Sequence, residues 1–312
     1  MRIVRFEQAS QPGLGVMIDE TRFVPLRDAD PELPSTLIEV LQLDGGLERL
    51  RRASEKRSVA RSLDNVILKP FLEHPNALWA LALNFKSHIA ETGLATSREY
   101  PHIFLRMAAS YVGHREQLLC PSPKIAKAYD YEGELGVVIG KGGRHIPIDR
   151  ALEHVAGYTC VNEGSVREYQ IQNRQFGLGK NFEASGSYGP WLVTPDEFGD
   201  PALQTVMTRV NGMLRQRAPL NDMLFDVPTV VSYLSQGYCL RPGDMIAMGT
   251  PGALKAAADD VQGQNLARQH GPFKISGLVH MRPGDVVEIE ISNLGVLSNP
   301  VAADTSPAYT VS

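Results

Sequence analysis

The sequence predicts an α+β protein that is built around a dominant mixed β-sheet. Three observations predict this class: strand-like and helical segments in the first 70 residues, a β-rich stretch from Leu78 onward, and a strong hairpin signal at Asn211-Gly212. Because strand signals dominate after residue 78, most of the sheet is expected to come from the second part of the chain.

The first 70 residues are predicted to begin with a small β-meander. Their apolar positions are rich in β-branched and aromatic residues, which favour strands. Short turns separate three such segments, so neighbouring strands are expected to pair. The three segments are residues 3–6, 15–18 and 22–25.

Two helical segments and a linker complete the predicted N-terminal lobe. The helices are expected at residues 35–43 and 47–63, and the second has so many charged side chains that most of its surface should be solvated. Pro70 and Pro75 bracket a linker. We therefore divide the chain into a small α/β lobe, residues 1–70, and a second domain, residues 71–312.

The second part of the chain has the stronger strand signals. Asn211-Gly212 favours a two-residue hairpin, and Pro228 is expected in the first turn of a helix, where proline is tolerated. Residues between these features are polar or irregular. Strands are predicted at residues 78–83, 137–139, 155–161, 208–210 and 213–215.

One short motif occurs twice near the end of the chain. Arg-Pro-Gly-Asp stands at residues 241–244 and again at 282–285, each time before an apolar segment. Pro-Gly suits the centre of a type II turn, so both copies should turn into strands. Residues 254–275 lie between them and are rich in Ala, Gln and Gly, which indicates an inserted loop.

Composition and charge limit the possible partners. The chain has 312 residues, 43% apolar and 21% charged, as in an ordinary globular protein. The formal net charge of -4 argues against nucleic acid as the main partner, because nucleic-acid-binding domains have a basic excess. No apolar run is long enough to cross a bilayer, so a membrane partner is not expected either.

The N-terminal segment and the cysteines predict a cytoplasmic protein. Glu7 falls where a signal peptide would have its apolar segment, so no export signal is expected. Cys120, Cys160 and Cys239 lie far apart and form no CxxC pair. Free thiols in a reducing compartment are therefore favoured over disulfides or a zinc site.

Several common catalytic motifs are missing. Residues 177–180 lack the glycine spacing of a Walker loop and precede Asn181 rather than Ser or Thr. Residues 185–189 do not complete a GxSxG nucleophile elbow, because Ala184 holds the first glycine position. No GxGxxG follows an early strand and HExxH is absent, so dinucleotide and zinc-protease chemistry are poor interpretations.

The most informative feature is the alternation of Asp130, Glu132 and Glu134 in a strand that continues into the apolar residues 135–139. Alternate side chains of a strand project to one face, so these carboxylates should lie together. Like charges on a core strand repel each other and resist desolvation. A divalent cation with oxygen ligands, such as Mg²⁺, Mn²⁺ or Ca²⁺, relieves both effects. The alternative is an acidic face that looks into water.

His88 and Glu91 follow the predicted strand at residues 78–83. If a helix begins near Phe85, the two lie three positions apart on one face, where the carboxylate can orient the imidazole. A histidine held in this way is a competent general base for activating water. The alternative is a surface helix with an ordinary polar pair.

Glu163 stands between a predicted strand and a predicted helix. The strand covers residues 155–161, and Ser165 with Glu168 has the spacing of a capping box at the start of the helix. A carboxylate at the end of this strand can reach a cation that is held by the acidic strand. The alternative is a loop carboxylate without a ligand.

Three further polar residues are candidates for a site. Lys180 lies between apolar residues, so it either extends its ammonium to solvent or pairs with a buried anion. Thr250 follows a strand and is either a hydroxyl donor or a turn residue. Arg106 is either a surface residue or the clamp of a carboxylate.

Taken together, these segments resemble the fumarylacetoacetate hydrolase family, in particular its shorter bacterial members with a small N-terminal lobe. The resemblance extends from about residue 77 to residue 301, and the joint order and spacing of its motifs are specific. The motifs are NFKSHIAE at 84–91, DYEGEL at 130–135, NEGSVREYQ at 162–170, GKNF at 179–182, GTPG at 249–252 and the final strand after 284–285.

The resemblance implies a mixed β-sandwich roll, usually a homodimer, with one divalent metal held by three carboxylates. Glu132 and Glu134 match two of these ligands. Glu163 matches the third, which is usually Asp in the family, so its longer side chain departs from the pattern. The implied cofactor is Mg²⁺ or Mn²⁺, and Ca²⁺ is also compatible with oxygen ligands.

The resemblance also implies the roles of the other site residues. His88 and Glu91 match the dyad that activates water. Lys180 has a catalytic role, the stabilisation of an oxyanion. The remaining matched positions line the substrate pocket and are Arg106, Gln170 and Thr250.

The implied reaction is metal-dependent hydrolysis of the C–C bond in a 2,4-dioxo acid, of the acylpyruvate or fumarylpyruvate type, to pyruvate and a carboxylic acid. The small-molecule partner is therefore a 2-oxo acid. Decarboxylation of a 2-oxo acid and isomerisation of a hydroxymuconate-type acid use a similar enolate, so both remain alternatives. A protein that binds a keto acid without turnover is a further alternative.

Overall fold

The computed structural model describes residues 1–92, 99–254 and 280–306, except the side chains of Glu91 and Thr92. The protein is α+β with large mixed sheets, which confirms the predicted class. Its strands are β1 Arg2–Gln8, β2 Gln11–Met17, β3 Arg22–Pro25, β4 Arg61–Ser62, β5 Ile67–Lys69, β6 Leu78–Ala82, β7 His102–Arg106, β8 Tyr111–Val112, β9 Leu118–Cys120, β10 Tyr129–Asp130, β11 Gly133–Ile139, β12 Val155–Asn162, β13 Ser165–Val166, β14 Gly186–Val193, β15 Thr205–Val210, β16 Met213–Pro219, β17 Met245–Ala247, β18 Val286–Ile291 and β19 Gly295–Ala303.

The α-helices are short and lie beside the sheets. Within the described residues, none is long and apolar enough to cross a bilayer. They are α1 Leu26–Ala29, α2 Leu37–Gln42, α3 Gly46–Ser54, α4 Lys86–Thr92, α5 Arg167–Gln170, α6 Pro195–Phe198 and α7 Val227–Gly237. Short 3₁₀ segments occur at Arg57–Val59, Ala108–Ser110, Ile148–His154, Gly177–Lys180, Pro201–Leu203 and Leu220–Asp222.

Two packed sheets form the core. In the described part of the chain, the larger sheet has twelve strands in the order β4-β3-β2-β1-β14-β12-β11-β17-β6-β7, with β5 beside β1 and β8 beside β14. A five-stranded sheet, β16-β15-β18-β19-β9, packs on its centre. Most pairs are antiparallel, but β17 runs parallel to β6. This arrangement buries both faces of the central strands.

β11 shows why the sequence folds in this way. Every residue of the strand is buried, as expected for a strand covered on both faces. Leu135, Val137 and Ile139 pack into one hydrophobic cluster, whereas Val138 packs into a second. The predicted alternation is therefore confirmed for residues 135–139, and Glu134 at the start of the strand is buried in the core.

The N-terminal strands match the predicted meander, but the second helix is shorter than predicted. α3 ends at Ser54 rather than at residue 63. Residues 55–58 are exposed, so no apolar face supports a longer helix. β1 pairs with β14, which makes the sheet continuous across residue 70. The division into two domains at that residue stays a prediction.

The predicted turns are present. Asn211 and Gly212 connect β15 to β16 with φ angles of 52° and 75°, the positive values that a two-residue hairpin requires. Both Arg-Pro-Gly-Asp motifs turn into strands, with φ angles of 87° at Gly243 and 99° at Gly284. Residues 255–275 of the predicted insertion lie outside the described residues.

Candidate metal centre and active site

Three glutamates meet where β11 begins and β12 ends. Glu134 lies on β11, Glu132 precedes that strand, and Glu163 follows β12. The pairing of β11 with β12 sets Gly133 opposite Asn162, and the Glu163 amide donates to the Glu132 carbonyl over 2.8 Å. Each glutamate offers one carboxylate oxygen, and these oxygens lie within 4.8 Å of one another. The strand register therefore builds the triad.

Asp130 does not join this group, contrary to the expectation from strand alternation. β10 pairs with β13 in a separate two-stranded sheet, and residues 131–132 interrupt the strand before β11. The Asp130 carboxylate instead accepts two hydrogen bonds from Arg167, at 2.6 and 2.9 Å, through its Oδ2 atom. Arg167 also lies 2.6 Å from the Glu132 Oε1 atom. It therefore connects Asp130 to the triad, while the Asp130 carboxylate itself stays outside the group of three.

Lys180 pairs with buried anions rather than extending to solvent. Its Nζ atom donates to Glu132 Oε2 and Glu163 Oε2, each over 2.8 Å, and the side chain is only 2% exposed. Gly179 permits this position, because a Cβ atom there would lie 2.1 Å from the Gln170 backbone nitrogen. The lysine therefore links two of the three glutamates.

Burial and neighbouring charges separate the pKa values of the three glutamates. Burial raises the pKa of Glu134 well above its ordinary value, and the charges of Glu163 and Glu132 raise it further. Burial also raises the pKa of Glu163, partly offset by Lys180. Burial acts in the same direction on Glu132, but Lys180 and Arg167 outweigh it and hold the pKa of Glu132 well below the usual range.

The donor set fits a divalent cation. Across the described ranges, Glu134 Oε1 and Glu163 Oε1 are buried without a hydrogen-bond partner. A buried carboxylate oxygen without a partner is unfavourable, and clustered carboxylate oxygens are the ligands of Mg²⁺, Mn²⁺ and Ca²⁺. These two oxygens together with Glu132 would hold such an ion.

His88 lies in the same pocket as the triad. It is on α4 and is 8% exposed, and it shares the pocket lining with Glu132, Glu163 and Lys180. Asp222 fixes the start of this helix, since its Oδ2 atom accepts hydrogen bonds from both the backbone and the hydroxyl of Ser87. Glu91 also lies on α4, but its side chain is outside the described atoms, so its contact with His88 stays a prediction.

Gln170 and Thr250 also line the pocket. The Gln170 Oε1 atom accepts a hydrogen bond of 2.7 Å from Arg167, so its amide nitrogen is oriented toward the other side. The Thr250 hydroxyl donates to the Gly133 carbonyl over 3.1 Å and accepts from Gln216 over 2.9 Å. The hydroxyl of Thr250 is therefore used within the protein, where it connects β11 with β16 at the pocket wall.

Arg106 is placed behind the pocket and not in its lining. Its guanidinium donates to the Ser110 hydroxyl, the Gly164 carbonyl and the Ser185 hydroxyl, at 3.1 to 3.2 Å, and stacks over the Tyr111 ring at 4.4 Å. These contacts use three of the five N–H donors of the guanidinium and support the loop after Glu163. A role of Arg106 in substrate binding stays a prediction.

The hydrogen-bond partners of the loop after β12 differ from those predicted from the sequence. Ser165 is not a helix cap but part of β13, and its hydroxyl donates to Glu132 Oε1 over 3.3 Å. The Glu168 carboxylate accepts from the backbone of Lys127 and Ala128 instead of closing a capping box. The motif spacing signalled the loop but not its partners, because those partners are distant in sequence.

Comparison with known proteins agrees with this geometry. Residues 77–302 match the profile of a family described as Fumarylacetoacetate (FAA) hydrolase C-terminal. The chain is 31% identical to oxaloacetate tautomerase YisK from Bacillus subtilis, over 96% of this chain and 100% of the relative. The chain therefore belongs to the fumarylacetoacetate hydrolase family.

Solved structures give the same result for the fold. The chain is similar to a fumarylacetoacetate hydrolase from Exiguobacterium antarcticum, with a TM-score of 0.76 and 32% identity over 97% of this chain and 99% of the other. It is also similar to maleylpyruvate hydrolase from Sphingobium sp. SYK-6, solved with manganese(II) ion and pyruvate, with a TM-score of 0.74 and 25% identity over 97% and 99% of the two chains. The fold is that of the family, and its members are enzymes.

Proposed function

We propose that this protein is a divalent-metal-dependent enzyme that interconverts the keto and enol forms of oxaloacetate. The observation that supports the proposal is the pair of unpartnered buried oxygens, Glu134 Oε1 and Glu163 Oε1, beside Lys180 in a pocket that also contains His88. Such a site suits a 2-oxo acid, which presents adjacent carboxylate and oxo oxygens. The tautomerase activity named for the Bacillus subtilis relative supports the choice of substrate.

Glu132, Glu134 and Glu163 would hold Mg²⁺ or Mn²⁺, and their oxygens are also compatible with Ca²⁺. When bound, the ion orients the carboxylate and oxo oxygens of the substrate and withdraws electron density from the oxo group. The manganese in the maleylpyruvate hydrolase structure supports Mn²⁺ as the first ion to test.

The side chains of the pocket supply two hydrogen-bond donors and a group that accepts a proton. An ammonium group has three donors, and Lys180 uses two of them on Glu132 and Glu163, which leaves one for a substrate oxygen. The amide nitrogen of Gln170 is a second donor on the pocket wall. His88 is the group that takes the proton from C3 of the keto form and returns it when the enol reverts.

Hydrolysis of a 2,4-dioxo acid to pyruvate and a carboxylic acid is the second candidate. The placement of His88 in the pocket favours it, because the same imidazole is in a position to activate a water molecule. The two reactions share the binding of a 2-oxo acid but differ in the bond that changes. We also propose a cytoplasmic homodimer, and light scattering of the purified protein tests the dimer.

One assay separates the candidates. Protein loaded with Mn²⁺ is mixed with the enol form of oxaloacetate and the ultraviolet absorbance of the enol is followed; in parallel, pyruvate release from acetylpyruvate is measured with lactate dehydrogenase. We expect faster enol decay than with Mn²⁺ alone, lost in Glu134→Gln and unchanged in Glu183→Gln, a surface control. Pyruvate release without faster enol decay would show that the protein is a hydrolase of 2,4-dioxo acids and not a tautomerase. Binding of oxaloacetate without either reaction would show that the protein binds a keto acid but does not convert it.

A further inference from the structure

We infer that Asp130 is a positioning residue of the metal centre. It holds the guanidinium of Arg167 in an orientation that leaves Glu132 able to bind a cation and directs the Gln170 amide into the pocket. The inference rests on the proposed function and adds a residue that lies outside the triad. The sequence grouped Asp130 with the metal ligands, whereas its contacts give it this different role.

Asp130 is a buried carboxylate with fixed surroundings. Its side chain is 0% exposed, and its Oδ1 atom accepts from the Tyr131 amide over 2.8 Å. Its Oδ2 atom accepts from both Nε and Nη2 of Arg167, at 2.9 and 2.6 Å. A buried carboxylate is strongly unfavourable unless it is paired, so Asp130 and Arg167 hold each other in place.

The backbone brings the two partners together. β10 pairs with β13, which sets Asp130 opposite Ser165, and Arg167 follows as the first residue of α5. The Arg167 amide donates to the Ala128 carbonyl over 2.9 Å. The ion pair therefore joins two segments that are already in register. We expect a substitution of Asp130 to move the guanidinium rather than the backbone.

Asp130 occupies one edge of the guanidinium and leaves the Nη1 atom to the site. Nη1 lies 2.6 Å from Glu132 Oε1 and donates to Gln170 Oε1 over 2.7 Å. Arginine commonly meets a carboxylate with two parallel N–H groups, which is its strongest arrangement. Because Asp130 takes Nε and Nη2, Glu132 receives one nitrogen of Arg167 rather than two.

This single contact matters because most acceptor positions of Glu132 are already used. An ionised carboxylate has about four such positions. Ser165 and Arg167 contact Oε1 and Lys180 contacts Oε2, which uses three of them. The remaining position is available to a cation. Loss of Asp130 would let Arg167 contact Glu132 with a second nitrogen, so the affinity for metal should fall.

The same nitrogen of Arg167 orients Gln170. The Gln170 oxygen accepts from Nη1, so the amide nitrogen is directed to the opposite side, and the residue lines the pocket. A guanidinium that rotates toward Glu132 gives up this hydrogen bond. The amide then loses the contact that distinguishes its oxygen from its nitrogen. Asp130 should therefore also affect the binding of a 2-oxo acid.

The test measures Mn²⁺ affinity by electron paramagnetic resonance of the free ion, and pyruvate affinity by calorimetry on the Mn²⁺-saturated protein. We expect Asp130→Asn to weaken Mn²⁺ binding by about ten- to a hundredfold, the usual effect of losing a residue that orients a metal ligand, and to weaken pyruvate binding as well. Asp30→Asn is the matched control. Asp30 accepts from Nε and Nη2 of Arg49 in the N-terminal lobe, at 2.6 and 2.8 Å, so its loss should change neither affinity.

Two further variants separate positioning from charge and from a folding defect. Asp130→Glu keeps the buried charge pair but adds a methylene that displaces the guanidinium, so it should also weaken Mn²⁺ binding, and it replaces Asp130→Asn if that variant does not fold. In an Arg167→Gln background, Asp130→Asn should have little further effect on Mn²⁺ affinity, because the two residues act as one unit.

Three results would overturn the inference: Mn²⁺ affinity in Asp130→Asn equal to that of the Asp30 control, wild-type affinity in Asp130→Glu, or losses that add in the double variant. The proposed activity fails separately. A wild type that binds Mn²⁺ and pyruvate but does not tautomerise oxaloacetate would refute the activity and still permit every comparison above. A wild type that binds no Mn²⁺ would refute the metal centre and the role of Asp130 together.

Discussion

Replacing Glu134 with glutamine should stabilise the metal-free protein and abolish its stabilisation by metal. In the wild type, Glu134 is buried beside two other carboxylates, which raises its pKa well above the ordinary value. Glutamine has the same shape, and its carbonyl oxygen can still accept the 2.8 Å hydrogen bond from the Gly249 amide. The substitution removes a like-charge repulsion and keeps the packing.

Relative to the wild type, Glu134→Gln should have a higher free energy of unfolding without metal and a lower one with Mn²⁺. Without metal, relief of one unfavourable surface or core interaction commonly adds about 0.5–2 kcal/mol to the free energy of unfolding, and we expect this range for Glu134→Gln. With Mn²⁺ at a hundredfold excess over its dissociation constant, the wild type should gain about 2.7 kcal/mol, whereas the variant should gain almost nothing. The order of stability therefore inverts when metal is added.

Denaturant unfolding measures both values, first with a chelator and then with Mn²⁺. Glu183→Gln is the matched control, because Glu183 is exposed and its loss should change neither measurement. The raised pKa of Glu134 means that the folded protein holds this proton more tightly than the unfolded chain does. The metal-free wild type should therefore lose stability as the pH rises above 4.5, the ordinary glutamate pKa. Glu134→Gln should lose less stability over the same pH range. A variant that is less stable without metal, or that gains as much from Mn²⁺ as the wild type, would refute the reasoning.

The other predictions concern the proposed base His88, the loop after β12 and the half-buried His114. His88→Ala should lower turnover by about two to four orders of magnitude in the oxaloacetate assay while Mn²⁺ affinity stays unchanged, as expected for loss of a general base. Gly164→Ala should unfold more readily in denaturant, because the new Cβ would lie 1.6 Å from the Ser185 carbonyl oxygen. Burial lowers the pKa of His114 from 6.5 to about 4, so the wild type should lose stability as the pH falls through this interval, and His114→Gln should flatten that loss in a pH series of unfolding midpoints.

Surface positions supply the controls for these three variants. Gly237→Ala adds a Cβ that meets nothing within 4 Å, so it should leave stability nearly unchanged. His74 is exposed, and its substitution should affect neither turnover nor the pH profile. A His88 variant with wild-type turnover, a Gly164 variant as stable as the Gly237 control, or a His114 variant with the wild-type pH profile would contradict the respective argument.

The sequence predicted the strands and turns that depend on local pattern. The meander, the Asn211-Gly212 hairpin and the two Arg-Pro-Gly-Asp turns are all present, because each is determined by a few neighbouring residues. The end of α3 at Ser54 was not predicted. The helix ends where its buried apolar side chains end. The charged residues that follow have a high helix propensity, so the sequence pattern alone predicted a longer helix.

The candidate site was predictable as a set of residues but not as a set of contacts. Glu132, Glu134 and Glu163 come together as expected, since the pairing of β11 with β12 brings a strand start to a strand end. Asp130 was expected beside these glutamates, but its carboxylate pairs with Arg167, which lies 37 residues away in the sequence. Only the fold decides which anion an arginine meets.

Titration of the protein with Mn²⁺, followed by electron paramagnetic resonance of the free ion, examines the metal centre itself. The account predicts one tight site per chain in the wild type and in Glu183→Gln. It predicts at least a hundredfold weaker binding after the combined substitution of Glu132 and Glu163 by glutamine. One tight site that persists in the double variant would contradict a centre built from these carboxylates.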